Sequence, residues 1–153
     1  MSAEARIVEL GLEIPPTPPL GGNYSPVVIV DDLCYVSGQG PLLPSGEMLK
    51  GRVGSEISEA EGYKAARQVA LTMLATLKAN IGSLDRVSRI IKVLGMVNSA
   101  PDFLNHPQVI NGFSDLMVEV FGDPGRAARS AVGMGALPGN ISVEIEAILQ
   151  ITD

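Results

Sequence analysis

The chain has almost no means of covalent or metal cross-linking. Its 153 residues include one cysteine, Cys34, and one histidine, His106. A lone cysteine forms no internal disulfide, and one Cys with one His falls short of a zinc ligand set, so no metal is expected. Tryptophan is absent and aromatics make up only 4%, which leaves Val, Ile, Leu, Ala and Met to build the core. Basic residues are few: 11 Lys and Arg against 17 Asp and Glu give a net charge of −6. They form no run or stripe, so nucleic acid is disfavoured as the main ligand. No stretch approaches the ~20 apolar residues of a membrane span. The N-terminal MSAEARIVELGLE has early acids and no apolar h-region; no signal peptide is expected, and the expected location is the cytoplasm.

What is present reads as one domain over residues 1–153, with 1–23 as an extended lead-in. Ala5 to Glu13 alternates weakly and predicts a short strand. Pro15-Pro16-Thr17-Pro18-Pro19 forces an extended path, and Gly21-Gly22-Asn23-Tyr24 follows as a turn. Val27–Val30 and Leu33–Gln39, joined by Asp31-Asp32, predict a hairpin. Glu47 to Val53 suggests a third short strand. Ser58-Glu59-Ala60-Glu61 is a capping box that opens a helix running to Ile81, with Gly82 as its C-cap. Val87–Val97 is strand-like, and a second helix should start close to Pro107 and end near Phe121-Gly122. Each helix carries one apolar stripe. Two one-faced helices need a sheet to cover, which gives a two-layer α+β domain with a mixed sheet and two helices on one face.

The stretch from Ala127 to Gln150 reads as two strands around a Leu137-Pro138-Gly139-Asn140 turn. Val132, Met134 and Ala136 are apolar at period two, as are Ile141, Val143, Ile145, Ala147 and Leu149. If both sets face the helices, Arg129, Glu144 and Glu146 share the opposite face. Ala131, Gly133 and Gly135 would leave that face bare, which suggests close approach by a ligand or a second chain. No phosphate-binding glycine motif is present: residues 21–26 lack the required spacing, and Gly133-Met134-Gly135 precedes no helix. His106 reads as a cap or surface residue, and Ser37 has no nearby base.

Several of these segments are shared with one family. Tyr24 after a glycine turn, LCYVSGQGP at 33–41, ARSAV at 128–132, Leu137-Pro138 and VEIEAI at 143–148 occur in that order. Together they resemble the RidA/YjgF family of reactive-intermediate (enamine/imine) deaminases, long labelled endoribonuclease L-PSP. The resemblance implies a chorismate-mutase-like fold and a homotrimer, with a central barrel and three intersubunit clefts. It implies 2-imino acids or their enamines as substrates and water addition to give 2-keto acids and ammonia. No cofactor is implied, because the imine carbon is already electrophilic. By position, Arg129 matches the residue that grips the substrate carboxylate and Glu144 the acid that positions water. Tyr24 matches a cleft-lining tyrosine, and Ser37, Gly38, Ser130 and Ala131 would line the pocket. The chain departs from the family at Ala131, where a cysteine is frequent, and at Gly133, where an acid is frequent. The lead-in and extra residues around Leu104 to Gln108 mark a longer subgroup. Two other readings stay open: a trimeric carboxylate-binding or regulatory protein without turnover, and a ribonuclease, against which the acidic charge argues.

Overall fold

The first element differs from expectation. In the computed structural model, which describes residues 1–153, the chain opens with helix α1, Ala3–Glu9. Ser2 caps it, accepting from the Ala5 amide, and Ala3 and Ile7 supply the buried side. Spacing of four places both on one helical face; the weak alternation that suggested a strand has no burial behind it. The rest of the lead-in runs without regular structure, with Leu12 and Ile14 packed on the core.

The remaining elements, in chain order, are β1 Val27–Val30, β2 Leu33–Gln39, α2 Glu59–Ile81, β3 Val87–Asn98, α3 His106–Phe121, β4 Ala128–Met134 and β5 Val143–Ile151. The capping box at α2 is complete: Ser58 Oγ accepts from the Glu61 amide at 3.1 Å, and Glu61 accepts from the Ser58 amide at 2.7 Å. Gly82 closes the helix at φ 85°, in the left-handed region that favours glycine. The expected strand at 47–53 is replaced by isolated bridges, of Leu42 with Met48, Lys50 with Ile141, and Val53 with Ser99 and Ile57.

The five strands form one mixed sheet in the order β1-β2-β5-β3-β4. The final pair is therefore no hairpin, because β3 lies between β4 and β5. β4 runs parallel to β3, and β5 antiparallel to both β3 and β2. A parallel neighbour requires a long crossover, and α3 provides it. Both helices of the layer pack on one face of the sheet. Met73, Leu74 and Leu77 of α2 and Ile110, Phe113 and Leu116 of α3 are fully buried against Val93, Val97, Val143, Ile145 and Leu149. Burying such a side chain is worth roughly 1.5–3 kcal/mol, so this seam fixes the register of β3 and β5.

The register corrects the face assigned to β4. Val93, Gly95 and Val97 pair with Arg129, Ala131 and Gly133, so these three share the helix side. Ser130, Val132 and Met134 lie on the other face, with Leu94, Glu144 and Glu146. Ala131 packs against the core, while Val132 and Met134 remain 39% and 36% exposed. Apolar alternation misassigned this strand because the sheet's open face is itself apolar. It also displays Val28, Tyr35 and Ile148. Ile141 leaves its expected side as well, clustering with Met96 and Leu137.

Candidate active site

Glu144 sits against an irregularity in β2. On β2, the pairing with β5 slips between Val36 and Gln39, leaving one extra residue on β2. Such bulges bend a strand and commonly lie beside functional sites. Gly38 falls in this bulge, directly against Glu144: a Cβ there would lie 3.1 Å from the Glu144 Oε2. The proline-rich arm supplies the facing wall through Pro18, Pro19 and Gly21. The result is a cleft of about 370 Å³ that holds Glu144, Gly38 and Tyr24 together.

Electrostatics set Glu144 apart from ordinary surface acids. Burial pushes its carboxyl pKa up, and the neighbouring charge of Glu146 pushes it the same way. Both effects disfavour the ionised form. Glu146 itself is exposed and does not line the cleft. Tyr24 accepts from the Gly21 amide through its hydroxyl at 3.2 Å, which leaves the hydroxyl proton free to donate.

The other expected site residues lie elsewhere in the chain. Ser37 donates to the Ser25 carbonyl at 2.7 Å, and Ser130 accepts from Lys92 at 3.4 Å. Both line a separate hollow on the open face, with Tyr35, Leu94 and Glu146. Arg129 stands on the opposite side of the sheet from Glu144. Its guanidinium donates to Ser114 Oγ at 3.0 Å and to the Pro107 carbonyl at 3.3 Å, both on α3. It also lies on β4, an edge strand whose outer side pairs with nothing. Within one chain, Arg129 and Glu144 therefore do not face a common ligand.

Residues that sequence reasoning passed over complete the cleft. Thr76 donates to Gln39 at 2.8 Å, and Gln39 donates to the Ser37 carbonyl at 3.0 Å, bracing the bulge from α2. Lys50 and Met48 reach the cleft from the irregular 41–57 segment. No local pattern announces them, because a bridge to Ile141, 91 positions away, places Lys50 there. Cys34 is buried, and burial raises its pKa, as suits a packed apolar thiol. His106 begins α3 and meets Ser99 Oγ at 3.1 Å.

The same arrangement of sheet and helices occurs in known proteins. A crystal structure of the Agrobacterium tumefaciens protein Atu1372, described as of unknown function, superposes with a TM-score of 0.89 at 44% identity. That likeness covers 99% of this chain and 94% of that one. The Trypanosoma cruzi protein TCP17 is 37% identical over 150 residues, 97% of this chain and 94% of its own length. A Dermatophagoides farinae protein named 2-iminobutanoate/2-iminopropanoate deaminase is 34% identical over 131 residues, covering 85% and 87%. Residues 4–146 match the family described as "YjgF/chorismate mutase-like, putative endoribonuclease". The segments around Tyr24, Gly38, Arg129 and Glu144 are thus set in a fold shared along nearly the whole chain, which belongs to the YjgF/chorismate mutase-like family.

Proposed function

We propose that the protein hydrolyses reactive 2-imino acids, or their enamine tautomers, to 2-keto acids and ammonia. The observation that carries this reading is Glu144: a half-buried carboxylate with a raised pKa, held against the Gly38 bulge in a cleft with Tyr24. A carboxylate tuned upward can accept a proton from water and return it near neutral pH. The family relationship and the named deaminase relative support the same chemistry.

In this reading the site is shared between copies of a homotrimer. Arg129, on the unpaired edge of β4, serves the cleft of a neighbouring copy, where its planar guanidinium grips the substrate α-carboxylate through two N–H donors. The hydrogen bonds it donates to Ser114 Oγ and the Pro107 carbonyl hold that guanidinium in place. Glu144 orients a water and takes its proton as the oxygen attacks the imine carbon. The iminium nitrogen becomes the amine of a tetrahedral aminol, Glu144 passes its proton to that amine, and ammonia leaves as the aminol hydroxyl proton returns to Glu144 and the carbonyl forms. Tyr24 donates to the developing polar groups. The exposed apolar residues of the open face, Val28, Tyr35, Val132 and Met134 among them, are the surface that the trimer covers.

The test is 2-keto acid release from an imine generated in situ by an amino-acid dehydratase. The wild-type chain should accelerate it. Glu144→Gln should lose about 10²–10⁴-fold, the usual share of a general base. Equal rates with and without the protein, beside saturable keto-acid binding, would assign a binding role and remove the catalytic one.

A further inference from the structure

We propose that Lys50 recognises the far carboxylate of a dicarboxylic ligand, so that the Glu144 cleft takes 2-imino acids with an acidic side chain. The inference deepens the reading above and rests on it for the reaction. The ligand class stands on three observations of its own.

The first is room. A cleft of about 370 Å³ lies in the size range of pockets for much larger ligands than a three- or four-carbon acid.

The second is charge. Lys50 is the one basic residue around the cleft, and Glu144 the one acid. The chain's four ion pairs join Arg6 to Glu9, Arg67 to Glu119, Lys78 to Glu4 and Arg126 to Asp123, and none involves Lys50. If Arg129 holds the α-carboxylate, Lys50 is a second cation with no protein partner. Lys50 is exposed, so a ligand with an alkyl end would leave that ammonium paired only with water. A carboxylate end would satisfy it with a charge-assisted hydrogen bond.

The third is placement. The bridge from Lys50 to Ile141 anchors its backbone three residues before Glu144 on the facing segment. The Met48 sulfur and Ile141 side chain fill the wall at Gly40, each about 3.2 Å from where a Cβ would sit there. From this fixed base Lys50 lines the same cleft as the Pro18-Pro19-Leu20 arm, and its flexible four-carbon stem lets the ammonium follow a ligand's far end.

The experiment uses two readouts on the full chain. Turnover is measured with imines generated in situ by an amino-acid oxidase, with catalase present, from glutamate and from 2-aminobutanoate. Binding is measured by calorimetry with 2-oxoglutarate and 2-oxobutanoate. Wild type should prefer the five-carbon diacid in both. Lys50→Met should lower the diacid-to-monoacid ratio about fivefold, the scale of one solvent-accessible ion pair, and Lys50→Arg should restore most of it. A wild-type preference for the monoacid, or a ratio that Lys50→Met leaves unmoved, overturns the inference while the deaminase reading stands. Lys50-dependent binding of 2-oxoglutarate without turnover of either imine supports the ligand class and overturns the reaction instead.

Discussion

Gly38 and Glu144 stand so close that no side chain fits between them. A Cβ on Gly38 would lie 3.0 Å from Glu144 Cδ and 3.2 Å from its Cγ, tighter than normal van der Waals contact. Gly38→Ala should therefore displace the carboxylate. The expected result is a loss of at least about tenfold in kcat/KM, because misplacement by a fraction of an ångström weakens positioned catalysis. The thermal midpoint should change little, since Glu144 can swing into the cleft. Wild-type kinetics in this variant would show that the carboxylate's present position does not matter.

The raised pKa of Glu144 has a sign that can be checked twice. Activity requires the ionised form, so the acid limb of kcat/KM should lie above the ordinary glutamate value of 4.5. For stability, the folded state binds the proton more tightly than the unfolded state does. Ionisation of Glu144 thus costs nothing below the unfolded-state pKa. Its cost grows as pH rises from there and is complete above the raised folded-state value. Glu144→Gln should gain stability relative to wild type across that rise, while losing turnover. Denaturant melts of both proteins from pH 4 to pH 8 measure the difference, and parallel curves would contradict the burial argument.

The departure at position 133 has a packing cause. A Cβ on Gly133 would collide with His106 Nε2 and lie 2.7 Å from Ser99 Oγ. The imidazole at the start of α3 occupies the space that a larger residue would need. Gly133→Ala should destabilise by about 1–3 kcal/mol, the usual cost of overpacking. His106→Ala combined with Gly133→Ala should recover most of that loss. Chemical denaturation of the single and double variants decides it; additive losses would mean the contact is not the cause.

An uncovered apolar face predicts association. Sedimentation of the wild-type chain should give the mass of three copies. Val132→Glu, which places a charge on the open face beside the half-exposed Met134, should shift the distribution toward one copy. A wild-type mass of one copy would remove the shared site.

Much of this architecture was legible in residues. The Ser58–Glu61 box and Gly82 marked both ends of α2 within a residue. Val143, Ile145, Ala147 and Leu149 announced the buried face of β5, and all four are buried. Three features were not legible, for physical reasons. The helix at Ala3–Glu9 buries only Ala3 and Ile7, too few to impose a period. β4 looked like the partner of β5 because they are adjacent in sequence, but a crossover through α3 sets β4 beside β3 instead. Its small residues, Ala131 and Gly133, face the helix layer because Ser99 and His106 lie close there. The resemblance to a family located Tyr24, Gly38 and Glu144, which the fold gathers in one cleft. It also pointed to Arg129, which the fold sets on the other side of the sheet.

That separation makes the central claim testable by complementation. Glu144→Gln and Arg129→Ala should each lower imine hydrolysis about 10²-fold or more alone. When the two variants are unfolded and refolded together in equal amounts, sites pairing an intact Glu144 with an intact Arg129 should reappear. Random mixing in a cyclic trimer restores about a quarter of them, and keto-acid release should recover in that proportion. A mixture as slow as either variant, or either variant as fast as wild type alone, would contradict a site built from Glu144 of one copy and Arg129 of the next.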